Sequence, residues 1–178
     1  MVIFMADHGE SFEHGYFYHG EELYENSTWI PLVIHYPGQK RGARLPGLTQ
    51  PIDIAPTVLD VLQIPAPGWL DGHALTRDAP PRPTATIATN FKLPDGDLAY
   101  YMPTKLALWW THYKLVASCE AGKKVLYDLA SDPDEQMDVS ALHPAVASEM
   151  MRRLGLRLAR QTLTPRLDCP NLRPVVHP

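Results

Sequence analysis

Apolar and polar positions along the chain predict two kinds of element in turn. Met1–Ala6 and Pro31–Tyr36 are short, continuously apolar runs, the pattern of strands buried on both faces, and they are expected to lie parallel in one sheet. Between them Glu21–Ser27 reads as a short helix. Asp53 is placed to cap a helix running to about Leu62, with Ile54, Val58, Leu59 and Leu62 on one side and Pro56 in its first turn. Strand-like segments follow at Thr84–Thr89, Lys105–Thr111, Tyr113–Ser118 and Lys123–Leu129. Turn-sized gaps separate the last three, so they read as an antiparallel meander. A final helix over 143–160 starts with His143 as cap and Pro144 at its first position. Its apolar residues Val146, Met150, Leu154 and Leu158 recur every four positions behind Leu142, and Arg152, Arg153, Arg157 and Arg160 load its C-terminal half as a solvated face.

This order divides the chain into an α/β part over 1–83, an antiparallel sheet with one helix over 84–161, and a proline-rich tail over 162–178. Prolines cluster from Pro65 to Pro83, which predicts a long irregular connection between the two parts. A buried strand is an unusual first element for a complete domain, so the chain reads as beginning inside a larger fold.

Composition narrows the function. The chain has 178 residues, 45% hydrophobic and 20% charged, which excludes general disorder, and no apolar run reaches membrane-spanning length. A net charge of −4 argues against nucleic-acid binding. Cys119 and Cys169 are far apart and outside any C-x-x-C, supporting neither a zinc site nor a disulfide framework. The distribution of charge is more informative than its sum. No Lys or Arg precedes Lys40, and the first 39 residues carry Asp7, Glu10, Glu13, Glu21, Glu22 and Glu25 together with His8, His14, His19 and His35. Carboxylates and imidazoles without a basic partner suggest that a cation belongs among them.

The run Asp7-His8-Gly9-Glu10, directly after the first strand, is the focal point. The C-terminal end of a strand is where open α/β sheets place their ligands. Adjacent carboxylate and imidazole can reach one ion only at a bend, because successive strand side chains point to opposite faces, and Gly9 is expected to supply that bend.

The continuation resembles the sulfatase branch of the alkaline phosphatase superfamily. The matching segments run in order: Asp7-His8-Gly9-Glu10, His19-Gly20, Leu23-Tyr24-Glu25, Pro31–Ile34, Pro37-Gly38, Asp53 with Pro56-Thr57-Val58-Leu59, Tyr113-Lys114-Leu115, and Leu126-Tyr127-Asp128-Leu129 with Asp132-Pro133, Glu135 and Asp138. The resemblance implies the C-terminal part of an alkaline-phosphatase-like α/β sandwich with a small antiparallel subdomain. It implies a hydrolase of sulfuric esters using one divalent ion, calcium, manganese or zinc, with Asp7 and His8 as metal ligands. His19 falls near the position of a histidine or lysine that contacts substrate and serves the leaving group. His14 is the alternative for that catalytic role, and spacing does not separate the two. Glu10 is expected to brace the motif through hydrogen bonds. Imidazole at His8 favours manganese or zinc over calcium, which prefers oxygen ligands.

One departure is large. The family's N-terminal Cys/Ser-x-Pro-x-Arg motif, whose Cys or Ser becomes the nucleophile, does not occur in the sequence. In Cys169-Pro170-Asn171 the proline comes one residue early, and Asp78–Arg82 has no nucleophile. The resemblance therefore covers only the C-terminal portion, acting on a small anionic sulfate or phosphate ester with a missing N-terminal half as partner. Alternatives are a phosphodiester or phosphonate ester hydrolase or transferase of the same superfamily, and a non-catalytic remnant that keeps the metal corner. By this reading the chain alone is inactive.

Overall fold

The computed structural model describes residues 1–15, 17–20, 22–45, 47–76, 87–92, 102–119 and 123–159. The expected strand at Thr84–Thr89 lies partly outside these residues, as does the last stretch, 77–83, of the proline-rich connection, and the expected tail over 162–178 lies wholly outside them.

The first part holds strand β1 (Val2–Met5), helix α1 (Glu25–Thr28), strand β2 (Leu32–His35), a 3-10 turn at Pro51–Asp53 and helix α2 (Ile54–Val61). β1 and β2 pair antiparallel, Val2 opposite His35 and Met5 opposite Leu32, which corrects the expected parallel arrangement. An apolar run carries no information about strand direction, which is set by the route of the chain between strands. Nor are the strands buried on both faces. Ile3, Met5, Leu32 and Ile34 are half-buried, whereas Val2, Phe4 and Val33 on the other face are exposed.

The second part is a four-stranded antiparallel meander in the order β3 (Ile87–Lys92), β4 (Met102–Trp110), β5 (Tyr113–Ser118), β6 (Lys124–Asp128), followed by helix α3 (Pro144–Ala159). β4 begins earlier than its apolar pattern suggests, with Pro103 opposite Phe91 beside a register shift after Asn90, a place where a residue without an N–H is tolerated in a sheet. The two-residue turn Thr111–His112 joins β4 to β5, and Thr111 adopts a left-handed φ of 56°.

Strand alternation gives this sheet two faces with different duties. Leu106, Leu108, Leu115, Ala117 and Leu126 point to α3, where Ala147, Met150 and Leu154 close a fully buried core with Val139. Along α3, Arg152 and Arg153 both pair with Glu149, and Arg153 also lies over the Trp110 ring, 4.4 Å from its centroid. Ala107 and Trp109 point the other way and pack on Leu23, Leu48 and Leu129. Lys114, fully buried, shares this second face with Val116. Cys119, buried at the end of β5, is disulfide-bonded, contrary to the expectation from sequence separation, which does not limit distance in the folded chain; its partner lies outside the described residues. Among the described residues no helix is long and apolar enough to cross a membrane.

Candidate active site

β1 delivers Asp7 and His8 to the rim of a 940 Å³ cavity. Asp7 Oδ1 accepts the His8 backbone N–H at 3.0 Å. Hydrogen bonds from its own and the His8 backbone N–H, reinforced by the His8 ring, hold its carboxyl below the usual range. His8 Nδ1 lies 2.8 Å from the Gly9 carbonyl oxygen. A carbonyl only accepts, so Nδ1 carries the proton and Nε2 presents its lone pair. That Nε2 lies 3.7 Å from Asp7 Oδ2, close to the roughly 3.4 Å separating two ligands of a tetrahedral ion at about 2.1 Å each. The two donors fit half of a coordination shell. No group of three or more His, Cys, Asp or Glu able to hold a metal occurs among the described residues.

Gly9 also serves close packing, beyond the expected bend. A Cβ there would stand 2.0 Å from the Asn26 carbonyl oxygen, and Gly9 N–H donates to Ser27 O at 2.9 Å. The glycine lets the Asp7–Glu10 segment lie flat against α1. Ser11, fully buried, continues the contact by accepting from Asn26 Nδ2 at 3.3 Å.

The structure separates the two candidate histidines. His19 stacks on His8 with ring centroids 4.0 Å apart and on Tyr18 at 4.3 Å. Its Nδ1 lies 3.0 Å from Glu10 Oε2, an arrangement in which the carboxylate orients the ring. His19 lines the cavity with Asp7 and His8. His14 stacks instead on Tyr24 at 4.0 Å, with Gln136 Nε2 3.4 Å from its Nδ1, and takes no part in the cavity wall.

Asp53 also departs from expectation. It makes no side-chain cap to α2. Its buried carboxylate accepts Gln50 N–H through Oδ2 and His73 N–H through Oδ1, both at 2.9 Å, while Thr57 Oγ1 donates to Asp53 O and accepts from Leu75 N–H. Gly72 is required here because a Cβ would stand 2.0 Å from Ile52 O. These bonds fasten Gln50, Pro51 and Ile52, which form the cavity wall beside Trp29.

The acidic stretch finds basic partners that sequence order conceals. Glu22 pairs with Lys105 of β4. Glu25 Oε1 receives both Lys114 Nζ at 3.0 Å and Trp109 Nε1 at 2.7 Å. Lys114 Nζ also lies 2.7 Å from Glu135 Oε1, and Glu135 Oε2 accepts Glu25 N–H at 2.6 Å. Burial pushes the Glu135 carboxyl up, against the pull of Lys114. Sequence reasoning assigned Glu25, Lys114 and Glu135 no role. The available signal was a lysine in the apolar strand Tyr113–Ser118, since a lysine is almost never fully buried unless paired.

A family model described as N-sulphoglucosamine sulphohydrolase, C-terminal, matches residues 12–162, which includes His14 and His19 and stops short of Asp7 and His8. Human arylsulfatase K is 31% identical over 166 residues, covering 86% of this chain and 30% of that protein. A phosphonate monoester hydrolase of Agrobacterium radiobacter superposes with a TM-score of 0.72 at 28% identity, covering 90% of this chain and 35% of the other. A protein solved with its substrate D-glucosamine-2-N,6-O-disulfate superposes with a TM-score of 0.76 at 20% identity, covering 93% and 35%. The chain thus spans about 30% of the length of the curated relatives it matches.

Proposed function

Since the chain belongs to the family of N-sulphoglucosamine sulphohydrolase C-terminal domains, we propose that it is the C-terminal part of a metal-dependent hydrolase of sulfuric esters, inactive without the remainder of such a fold. The convergence of Asp7, His8 and His19 on one cavity wall supports this reading. Asp7 Oδ2 and His8 Nε2 would hold one divalent ion, which when bound would supply positive charge to the ester oxygens. The mixed oxygen and nitrogen pair suits manganese or zinc better than calcium.

His19 is the residue we assign to the substrate, hydrogen-bonding an ester oxygen or passing a proton to the leaving oxygen. Glu10 at its Nδ1 directs the opposite nitrogen to that work. His14, held by Tyr24 and Gln136, is the weaker candidate. The division at residue 83 into a site-bearing part and a sheet-and-helix part belongs to the same proposal.

The substrate is a small anionic sulfate ester. The 28% identity to a phosphonate monoester hydrolase keeps a phosphonate or phosphodiester as the second reading. Turnover of 4-nitrophenyl sulfate and bis(4-nitrophenyl) phosphate with manganese, zinc or calcium tests both. None is expected from the chain alone, and activity towards the sulfate is expected once an N-terminal portion bearing the family's nucleophile motif is co-expressed. Turnover by the chain alone that vanishes in Asp7→Ala would overturn the dependence on a missing portion. Preference for the phosphodiester in the complemented protein would select the second reading.

A further inference from the structure

We propose that Lys114 is a positioning residue, setting from the C-terminal sheet the geometry of the Asp7–His8–His19 corner; the functional meaning of that corner rests on the reading above, its geometry does not. Lys114 is fully buried and its ammonium joins two carboxylates, Glu25 and Glu135, while lying 4.8 Å from the Trp109 ring centroid. Glu25 is held at three points: by Lys114, by the Trp109 indole N–H, and through its own backbone N–H by Glu135. The cluster therefore fixes the backbone of α1 at its first residue.

The next two residues of α1 form the surface on which the corner rests. Asn26 O abuts Gly9, Ser27 O accepts Gly9 N–H, and Asn26 Nδ2 donates to Ser11. Ser11 N–H in turn donates to Tyr18 O at 3.2 Å, tying the residue before His19 to the same wall. Both stacked imidazoles are thus set within a few bonds of a charge cluster on another sheet. A buried ion triad is a weak stabiliser compared with apolar packing, but its hydrogen bonds fix direction, and direction is what a two-ligand corner needs.

The test uses the full chain labelled with ¹³C and ¹⁵N. Stacking displaces the ring signals of His8 and His19 from those of a free histidine. In Lys114→Met both are expected to move towards the free position, while the Leu126 and Met150 methyl signals of the α3 core stay in place. Exposed Lys124→Met is expected to leave all of them unchanged. Glu25→Gln, which keeps an acceptor for Trp109 and removes only the charge, is expected to shift the histidines in the same direction by a smaller amount. Unmoved histidines in folded Lys114→Met, or loss of folding in both Lys114→Met and Glu25→Gln, would overturn the proposal, the latter by making the cluster a requirement of the fold alone. A manganese titration separates this from the metal reading. Paramagnetic broadening of His8 in the parent chain is expected, with affinity falling about 10-fold or more in Lys114→Met, as for other residues behind metal ligands. Absence of broadening in the parent would sink the metal assignment and leave the ring-shift result standing.

Discussion

Replacing Gly9 by alanine tests how the site-bearing loop is held. The added Cβ would lie 2.0 Å from Asn26 O, 2.9 Å from Asn26 C and 3.1 Å from Ser27 Cα. All three are backbone atoms, so no side-chain rotation relieves the overlap. The loop and α1 must separate by more than 1 Å, roughly the distance from 2.0 Å to ordinary contact. That separation stretches the 2.9 Å hydrogen bond from Gly9 N–H to Ser27 O. Overpacking of this kind costs about 1–3 kcal/mol, and the weakened hydrogen bond adds about 1 kcal/mol. A destabilisation of about 3 kcal/mol is expected, a large share of the roughly 5–15 kcal/mol of a typical domain. Gly42→Ala is the matched control. Nothing lies within 4 Å of its added Cβ and its φ is not left-handed, so it should be neutral or stabilising by up to about 1 kcal/mol. In urea unfolding, with a slope of about 2 kcal/mol/M, Gly9→Ala should lower the midpoint by about 1.5 M. A midpoint within about 0.3 M of Gly42→Ala, on the same slope, would refute the close-contact explanation.

Lys114→Met should cost about 3–5 kcal/mol at neutral pH, because it strands two carboxylates in the interior. Burial already raises the Glu135 carboxyl, so its favourable contribution is complete below the unfolded carboxylate range and lost as pH rises through the folded value. The deficit of Lys114→Met should therefore shrink towards pH 4, and an equal deficit from pH 4 to 8 would contradict this. Asp138 behaves oppositely. Burial pushes its carboxyl up, but the N–H groups of Leu126 at 3.0 Å and Ser140 at 2.8 Å bring it below its usual value. Its contribution is present above the unfolded carboxylate value and lost as pH falls through the folded one. Asp138→Ala should cost about 1 kcal/mol at pH 7, as for loss of a cap, and thermal unfolding of parent and variant should converge on acidification towards pH 3.

Local pattern carried much of the second part. The strand-like segments Lys105–Thr111, Tyr113–Ser118 and Lys123–Leu129, separated by turn-sized gaps, leave hardly any arrangement but a meander, and β4, β5 and β6 pair as one. The four-residue recurrence behind Pro144 likewise determines α3 and the face it buries. The ordered motifs from Asp7 to Asp138 disclosed the family and its mixed α/β fold, because each motif marks a place where backbone and side chain must meet in one way.

By itself, then, the sequence determined the elements and their turns: which segments are strands, where α3 begins, and that Asp7 and His8 leave a strand together. Tertiary structure alone decided direction and partnership. Apolarity in Val2–Met5 and Leu32–His35 is satisfied by either strand orientation, and only the folded path makes them antiparallel. The carboxylates of the first 39 residues looked unbalanced because their lysines arrive 83 and 89 residues later: Lys105 beside Glu22, and Lys114 between Glu25 and Glu135. His14 and His19 were equivalent in spacing until ring stacking put one on His8 and the other on Tyr24. Charge pairing and stacking act over a few ångströms in space regardless of distance along the chain, so no local reading of residue order can contain them.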